Sequence, residues 1–317
     1  MNKILLSLLF TGGVFMGNIS VACGQTEADS SIIAASDSLL VSNTINDMIG
    51  QNVVIPKMPQ EASFAGEVVP LQYFDVYESL QREIASLTYQ HGTMIYIAQL
   101  QNRYKERIVK ILEEEGIPGD FFYLCIAESM LQPLVSPAGA KGYWQFMDGT
   151  AKEYGLEVSP YIDERYNWDK STRAAAKYFK KAYEKYGTWT LAAASYNIGM
   201  NNVDNRKQLQ GLNNYYDMQF PVETARYVYR AVAFKTILNN LKDYGFNLSE
   251  KDMYKPIETK RIKVTGSVSN WSVWAAGHNT NFKMIKMLNE WIRSNRLDNK
   301  TGKTYFVEVP AEGARIR

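Results

Sequence analysis

From residue 70 to about 247, apolar side chains recur at three- and four-residue intervals and the runs stop at glycines, the pattern of packed amphipathic helices. Ser171 to Tyr186 carries Ala175, Tyr178, Phe179, Ala182 and Tyr186 at this spacing and halts at Gly187. Thr188 to Ile198 is short, Ala-rich and closed by Gly199, and Pro221 opens a helix that aligns Tyr227, Ala231, Phe234 and Leu238. Upstream, Tyr73 to Glu115 is helical in pattern and ends at Gly116-Ile117-Pro118-Gly119, after which Asp120 is placed to cap a new helix. After Lys255-Pro256 the character changes: β-type segments Lys260 to Thr265 and Thr304 to Val309 flank a helical middle from Trp271 to Trp291. The expectation is a mainly α chain, with an all-helical domain over residues 70–250 and a small α/β module over 256–317.

The 317 residues, 46% of them hydrophobic, suffice for such a core. With 35 basic and 33 acidic residues, charge gives no case for nucleic acid as partner. His91 and His278 are isolated and Cys125 has no evident disulfide partner, so neither a metal site nor a Ser-His-Asp triad is expected. Met1-Asn2-Lys3 and the apolar run Ile4 to Met16 read as an export signal, too short to span a membrane as a mature helix. It ends at Ser20-Val21-Ala22-Cys23, which suits signal peptidase and also resembles a lipoprotein box in which Cys23 carries the lipid. Residues 1–23 are thus a signal peptide or lipoprotein signal, and the polar stretch 24–69 is read as a flexible tether.

One carboxylate breaks the helical pattern. Phe121, Leu124, Cys125, Glu128 and Leu131 share one face, so Glu128 falls on the apolar stripe. A buried glutamate needs a partner, and desolvation favours its protonated form, as a general acid requires. Spacing alone leaves three readings: a catalytic acid, a buried ion pair, or a side chain at the helix edge.

The surrounding residues narrow this. Leu112 to Pro118 running on to Glu128-Ser129, Ser136-Pro137-Ala138-Gly139-Ala140-Lys141-Gly142-Tyr143-Trp144-Gln145-Phe146-Met147, Ser195-Tyr196-Asn197-Ile198-Gly199 and Glu223-Thr224-Ala225-Arg226-Tyr227-Val228 occur in that order. Together they resemble the motifs of the lytic transglycosylases of the soluble-lytic-transglycosylase type, glycoside hydrolase family 23, with the membrane-bound D type as the branch they are similar to. The resemblance implies a lysozyme-like catalytic domain acting on peptidoglycan glycan strands without a cofactor. It makes Glu128 the acid/base and sets Ser129, Ser136, Gln145, Met147, Tyr196, Asn197, Glu223 and Tyr227 along the saccharide cleft. Met147 and Tyr227 could equally be core, and Ser129 could satisfy a backbone group near its helix end. Tyr143 and Trp144 replace a smaller apolar pair, Leu131 stands where an aromatic is frequent, Ser195 replaces Ala, and Asn201 falls where a second glycine is common.

Most glycosidases use two carboxylates. The resemblance supplies one, which implies that the muramic C6 hydroxyl attacks C1 to give a 1,6-anhydro sugar. A goose-type lysozyme, for which Asp148 and Asp163 are the acids at hand, and a non-catalytic wall-binding protein are the alternatives. Residues 260–310 weakly resemble a LysM module, with Glu290 where proline is usual, implying either glycan binding or a structural cap. The implied place is the periplasm, on an outer-membrane lipid anchor through Cys23 or as a soluble secreted protein.

Overall fold

The computed structural model describes residues 54–316. The export signal and Cys23 lie outside them. The chain is mostly helical, and its core forms around a short helix that is buried on every side.

An antiparallel hairpin of β1 (Ser63–Phe64) and β2 (Glu67–Val68) precedes α1 (Phe74–Thr88) and α2 (His91–Glu114). The single helical run expected from Tyr73 to Glu115 is thus two helices, broken at Tyr89 and Gln90. A 3-10 turn, Gly119–Phe121, leads into α3 (Phe122–Ser129), all eight residues of which are buried. Asp120 does not cap this helix. Its carboxylate accepts from the Ala65 amide at 2.8 Å and from Lys235 Nζ at 2.7 Å, because an ion pair and an orphan hairpin donor compete for it.

α4 (Asp148–Glu153) follows, then α5 (Trp168–Tyr186), which starts three residues before Ser171 because the Asn167 side chain caps it by accepting from the Lys170 amide. α6 (Trp189–Ile198) carries a run of buried alanines, α7 (Met200–Gln210) is mostly surface, and α8 (Val222–Asn239) packs on α1, α3 and α6. The buried Glu83 of α1 anchors α8 by accepting from Arg226 Nε at 2.6 Å and Arg230 Nε at 3.4 Å.

Residues 56–69 depart from the tether reading of 24–69. Phe64 is fully buried, with its ring 5.2 Å from Phe121, and Val69 is buried as well. Glu67 accepts from the amides of Trp189 and Thr190, capping α6 with a carboxylate from a distant segment. Elements of two residues have no periodicity, so composition alone reads this stretch as polar chain.

The C-terminal module pairs β3 (Thr259–Val264) antiparallel with β4 (Tyr305–Pro310), Ile262 opposite Val307, and covers them with α9 (Trp271–Ala276) and α10 (Phe282–Leu288). It is not free-standing. Ile162 and Tyr166 of the helical domain belong to its hydrophobic cluster with Trp271, Ile285 and Val307. Backbone bonds cross the junction from Asp163 N to Trp291 O (2.9 Å) and from Arg293 N to Tyr161 O (2.8 Å). Beside them Arg107 and Arg261 share the carboxylates of Asp169 and Glu308 in a network with contacts of 2.6 to 3.1 Å.

Candidate active site

Glu128 ends in the last turn of α3 and is 5% exposed. Its Oε1 accepts a 2.7 Å hydrogen bond from the hydroxyl of Tyr227, which arrives from the second turn of α8 and is itself buried. Burial, then the Glu128 charge and this bond, push the Tyr227 phenol well above its usual range, so Tyr227 stays protonated and donates. Cys125, one turn earlier on the same stripe, has its thiol pushed up by burial and then by Glu128, and its Sγ lies 3.5 Å from the Tyr143 carbonyl. It is a neutral packing residue beside the carboxylate.

Tyr196 of α6 is the third phenol or thiol that senses Glu128. Burial, followed by that charge, raises its pKa, and its hydroxyl donates to the Trp144 carbonyl at 2.6 Å. Its ring is wedged among Phe179, Phe146 and Trp144. One residue on, Asn197 closes a second cluster: Nδ2 donates to Glu223 Oε1 at 3.1 Å and Oδ1 accepts from Thr224 Oγ1 at 2.7 Å. The end of α6 is thereby locked to the start of α8, so Asn197, Glu223 and Tyr227 form one framework. Thr224 lies within a motif picked out from sequence, yet its part in this framework was not anticipated.

The loop between α3 and α4 behaves differently. Gln145 sits at φ +49°, in the left-handed region, and its amide nitrogen donates to Gly142 O (2.7 Å) and Leu134 O (3.1 Å). Ser136 Oγ accepts from the Ala140 amide in a tight turn, and Ser129 Oγ donates to the Cys125 carbonyl, the backbone role left open above. Gln145 and Ser136 thus hold the loop's own backbone, and Ser129 that of the last turn of α3. Met147 is half-buried and precedes the first turn of α4. Gly142 is required where it stands: at φ +80°, a Cβ there would lie 2.0 Å from the Arg165 carbonyl oxygen.

The two other acids considered from sequence are occupied. Asp163 is buried and grips Arg165 through both oxygens (2.8 and 2.7 Å), whereas Asp148 is exposed and pairs with Lys152 at 2.7 Å. Among the described residues no three His, Cys, Asp or Glu side chains group as a metal-binding set, and no helix is long and apolar enough to cross a membrane.

Comparison with known proteins fits this geometry. Residues 108–219 match the model of the transglycosylase SLT domain, and residues 260–313 match that of the soluble lytic transglycosylase C-terminal LysM-like domain. The first of these spans Glu128, Gln145, Tyr196 and Asn197, while Glu223 and Tyr227 lie just beyond it. The chain is 28% identical over 209 residues to membrane-bound lytic murein transglycosylase D of Escherichia coli K12, and equally to that of strain O6:H1, covering 61% of this chain and 45% of those proteins. It is 29% identical over 122 residues, 36% of this chain and 58% of the relative, to a putative tributyltin chloride resistance protein of an Alteromonas species. The chain spans less than half the length of the murein transglycosylases it matches. It joins a lysozyme-like transglycosylase SLT domain to a LysM-like C-terminal domain of the soluble lytic transglycosylase kind.

Proposed function

We propose that this chain is a peptidoglycan lytic transglycosylase that cleaves the β-1,4 bond between N-acetylmuramic acid and N-acetylglucosamine and leaves a 1,6-anhydro-muramyl end, with Glu128 as its general acid and base. The observation that carries the reading is the buried carboxylate of Glu128 held by the protonated hydroxyl of Tyr227. In the first step Glu128 gives its proton to the bridging oxygen as the C1–O bond breaks. The carboxylate formed, with Tyr227 donating to it, then takes the proton of the C6 hydroxyl as O6 bonds to C1. Glu128 is thereby restored and no water is consumed. Tyr196 and Asn197 share the end of α6, which is locked to the loop through the Trp144 carbonyl and to α8 through Glu223, which suits them to orient the sugar ring. Ser129, Ser136 and Gln145 contribute by fixing the backbone that borders the cleft, with Met147 and Glu223 at its edges.

The water-delivering alternative wants a second acid near the reacting carbon. Asp163 and Asp148 are tied to Arg165 and Lys152, which supports the single-acid route. Within this proposal the LysM-like domain supplies affinity for glycan strands, and export with lipidation at Cys23 would hold the enzyme in the periplasm, on the outer membrane.

Digestion of purified peptidoglycan with mass analysis of the muropeptides tests the reading. Products lighter by one water than reducing muropeptides are expected. Reducing ends would indicate a lysozyme, and binding without release would indicate a wall-binding protein.

A further inference from the structure

Two residues that depart from the family pattern meet at the domain junction. The Tyr143 hydroxyl donates to the carboxylate of Glu290, which sits in the turn after α10. Tyr143 is buried, its ring stacked 3.3 Å from that of Trp168, which in turn stacks 4.4 Å from Tyr104 of α2. The hydroxyl therefore has a fixed direction, and that direction leads into the C-terminal module.

The backbone of the same residues faces the site. The Tyr143 carbonyl receives Cys125, on the helix of Glu128, and the Trp144 carbonyl receives Tyr196. Gly142 lies flat on Arg165, whose Nη1 reaches the Phe146 carbonyl at 3.4 Å. The module holds the other end. Trp291, which follows Glu290, accepts from the Asp163 amide, and Arg293 donates its own amide to Tyr161. The five residues Gly142–Phe146 are thus held by Glu128's surroundings on one side and by Glu290 on the other, while Trp291 and Arg293 fasten the turn that carries Glu290 to residues 161–163.

We propose that Tyr143 and Glu290 are a positioning pair through which the C-terminal module sets the active-site loop Gly142–Phe146 against the helix of Glu128. The pair touches no reacting atom. It fixes where the carbonyls that hold Tyr196 and Cys125 stand, and so how the ring-orienting groups meet the acid. Truncating the hydrogen bond from either side should have the same result, since each residue acts through the other. The inference rests on the transglycosylase reading for its kinetic consequence and on geometry alone for its structural one.

The test uses the full chain and soluble glycan strands. Tyr143→Phe and Glu290→Leu should each lower kcat about tenfold, the effect of about 1.4 kcal/mol from one lost buried hydrogen bond, with KM unchanged. The double variant should fall no further than either single one, and Glu290→Gln, which keeps an acceptor for Tyr143, should retain most of the turnover. Multiplying effects, a change confined to KM, or full activity in Glu290→Leu would each overturn the proposal while leaving the enzyme a transglycosylase. If the unmodified chain forms no anhydro product, the functional reading fails instead. The pair is then judged by amide hydrogen exchange across residues 142–146, which should rise in Tyr143→Phe and Glu290→Leu but not in Glu290→Gln; unchanged exchange sinks it.

Discussion

The two walls around Glu128 are built on opposite principles. The helical wall, α3 with α8, is continuous buried helix in which Glu128 and Tyr227 meet because apolar stripes bring their turns together. The loop wall, residues 134–147, has almost no regular structure and is held by side chains spent on its own carbonyls and amides, with Gln145 and Gly142 at positive φ. Periodic burial positions a charge firmly, whereas a loop must be fixed bond by bond. The first kind of wall is expected to fail through chemistry and the second through folding.

The largest expected effect tests the helical wall. Glu128→Gln keeps the shape and removes the proton, so muropeptide release should fall about 1,000-fold, within the range of general acid–base catalysis. Substantial remaining activity would refute the assignment. Next, Gly142→Ala attacks the loop wall: a Cβ placed 2.0 Å from the Arg165 carbonyl oxygen must displace backbone. A loss of about 3 kcal/mol in denaturant unfolding is expected, among the larger values for one residue. Tyr227→Phe removes only the donor to Glu128 and should lower kcat about tenfold with little change in the melting temperature. An equal fall in stability would make Tyr227 a core residue first.

The smallest effect concerns the junction that supports the loop from behind. Burial alone would raise the Asp169 carboxyl, but the Arg107 hydrogen bond and charge, then Arg261, hold it below its ordinary range. A depressed folded-state pKa gives stability that is present above the unfolded value and is lost as pH falls through the folded one. Asp169→Asn should therefore cost about 1 kcal/mol at neutral pH and flatten that part of the acid-side decline in thermal unfolding. A parallel acid profile in the variant would remove Asp169 from the account.

Legibility in the sequence follows the same division. Glu128 stood out because period 3.6 put a carboxylate among Leu124, Cys125 and Leu131, whereas the stripe of α8 alone leaves Tyr227 looking like core and only the motif Glu223 to Val228 drew it to the site. What Ser136 and Gln145 do could not be read in this way, since their partners are carbonyls and amides that exist as targets only once the turns are formed, whereas the bond of Ser129 to the carbonyl one turn back follows from its place at a helix end. Asp163 illustrates the same point: its neighbour Arg165 is two residues away in sequence, but nothing there tells that both are buried. The junction itself, Ile162 with Ile292, is a pairing between segments that each look complete alone.

Glu67 has a mechanical meaning as well as a structural one. The strand pair that carries it packs on the helical domain through Phe64, and its carboxylate grips the leading turn of α6, the helix of Tyr196 and Asn197. Tension applied to the chain ahead of residue 56 meets first the Lys57 carbonyl, held by the Tyr244 hydroxyl, and then, by covalent connection, this hairpin. Under the proposed function, a chain held from its amino-terminal side while a glycan strand is pulled would feel the load two turns from Tyr196 and Asn197, the residues proposed to orient the sugar.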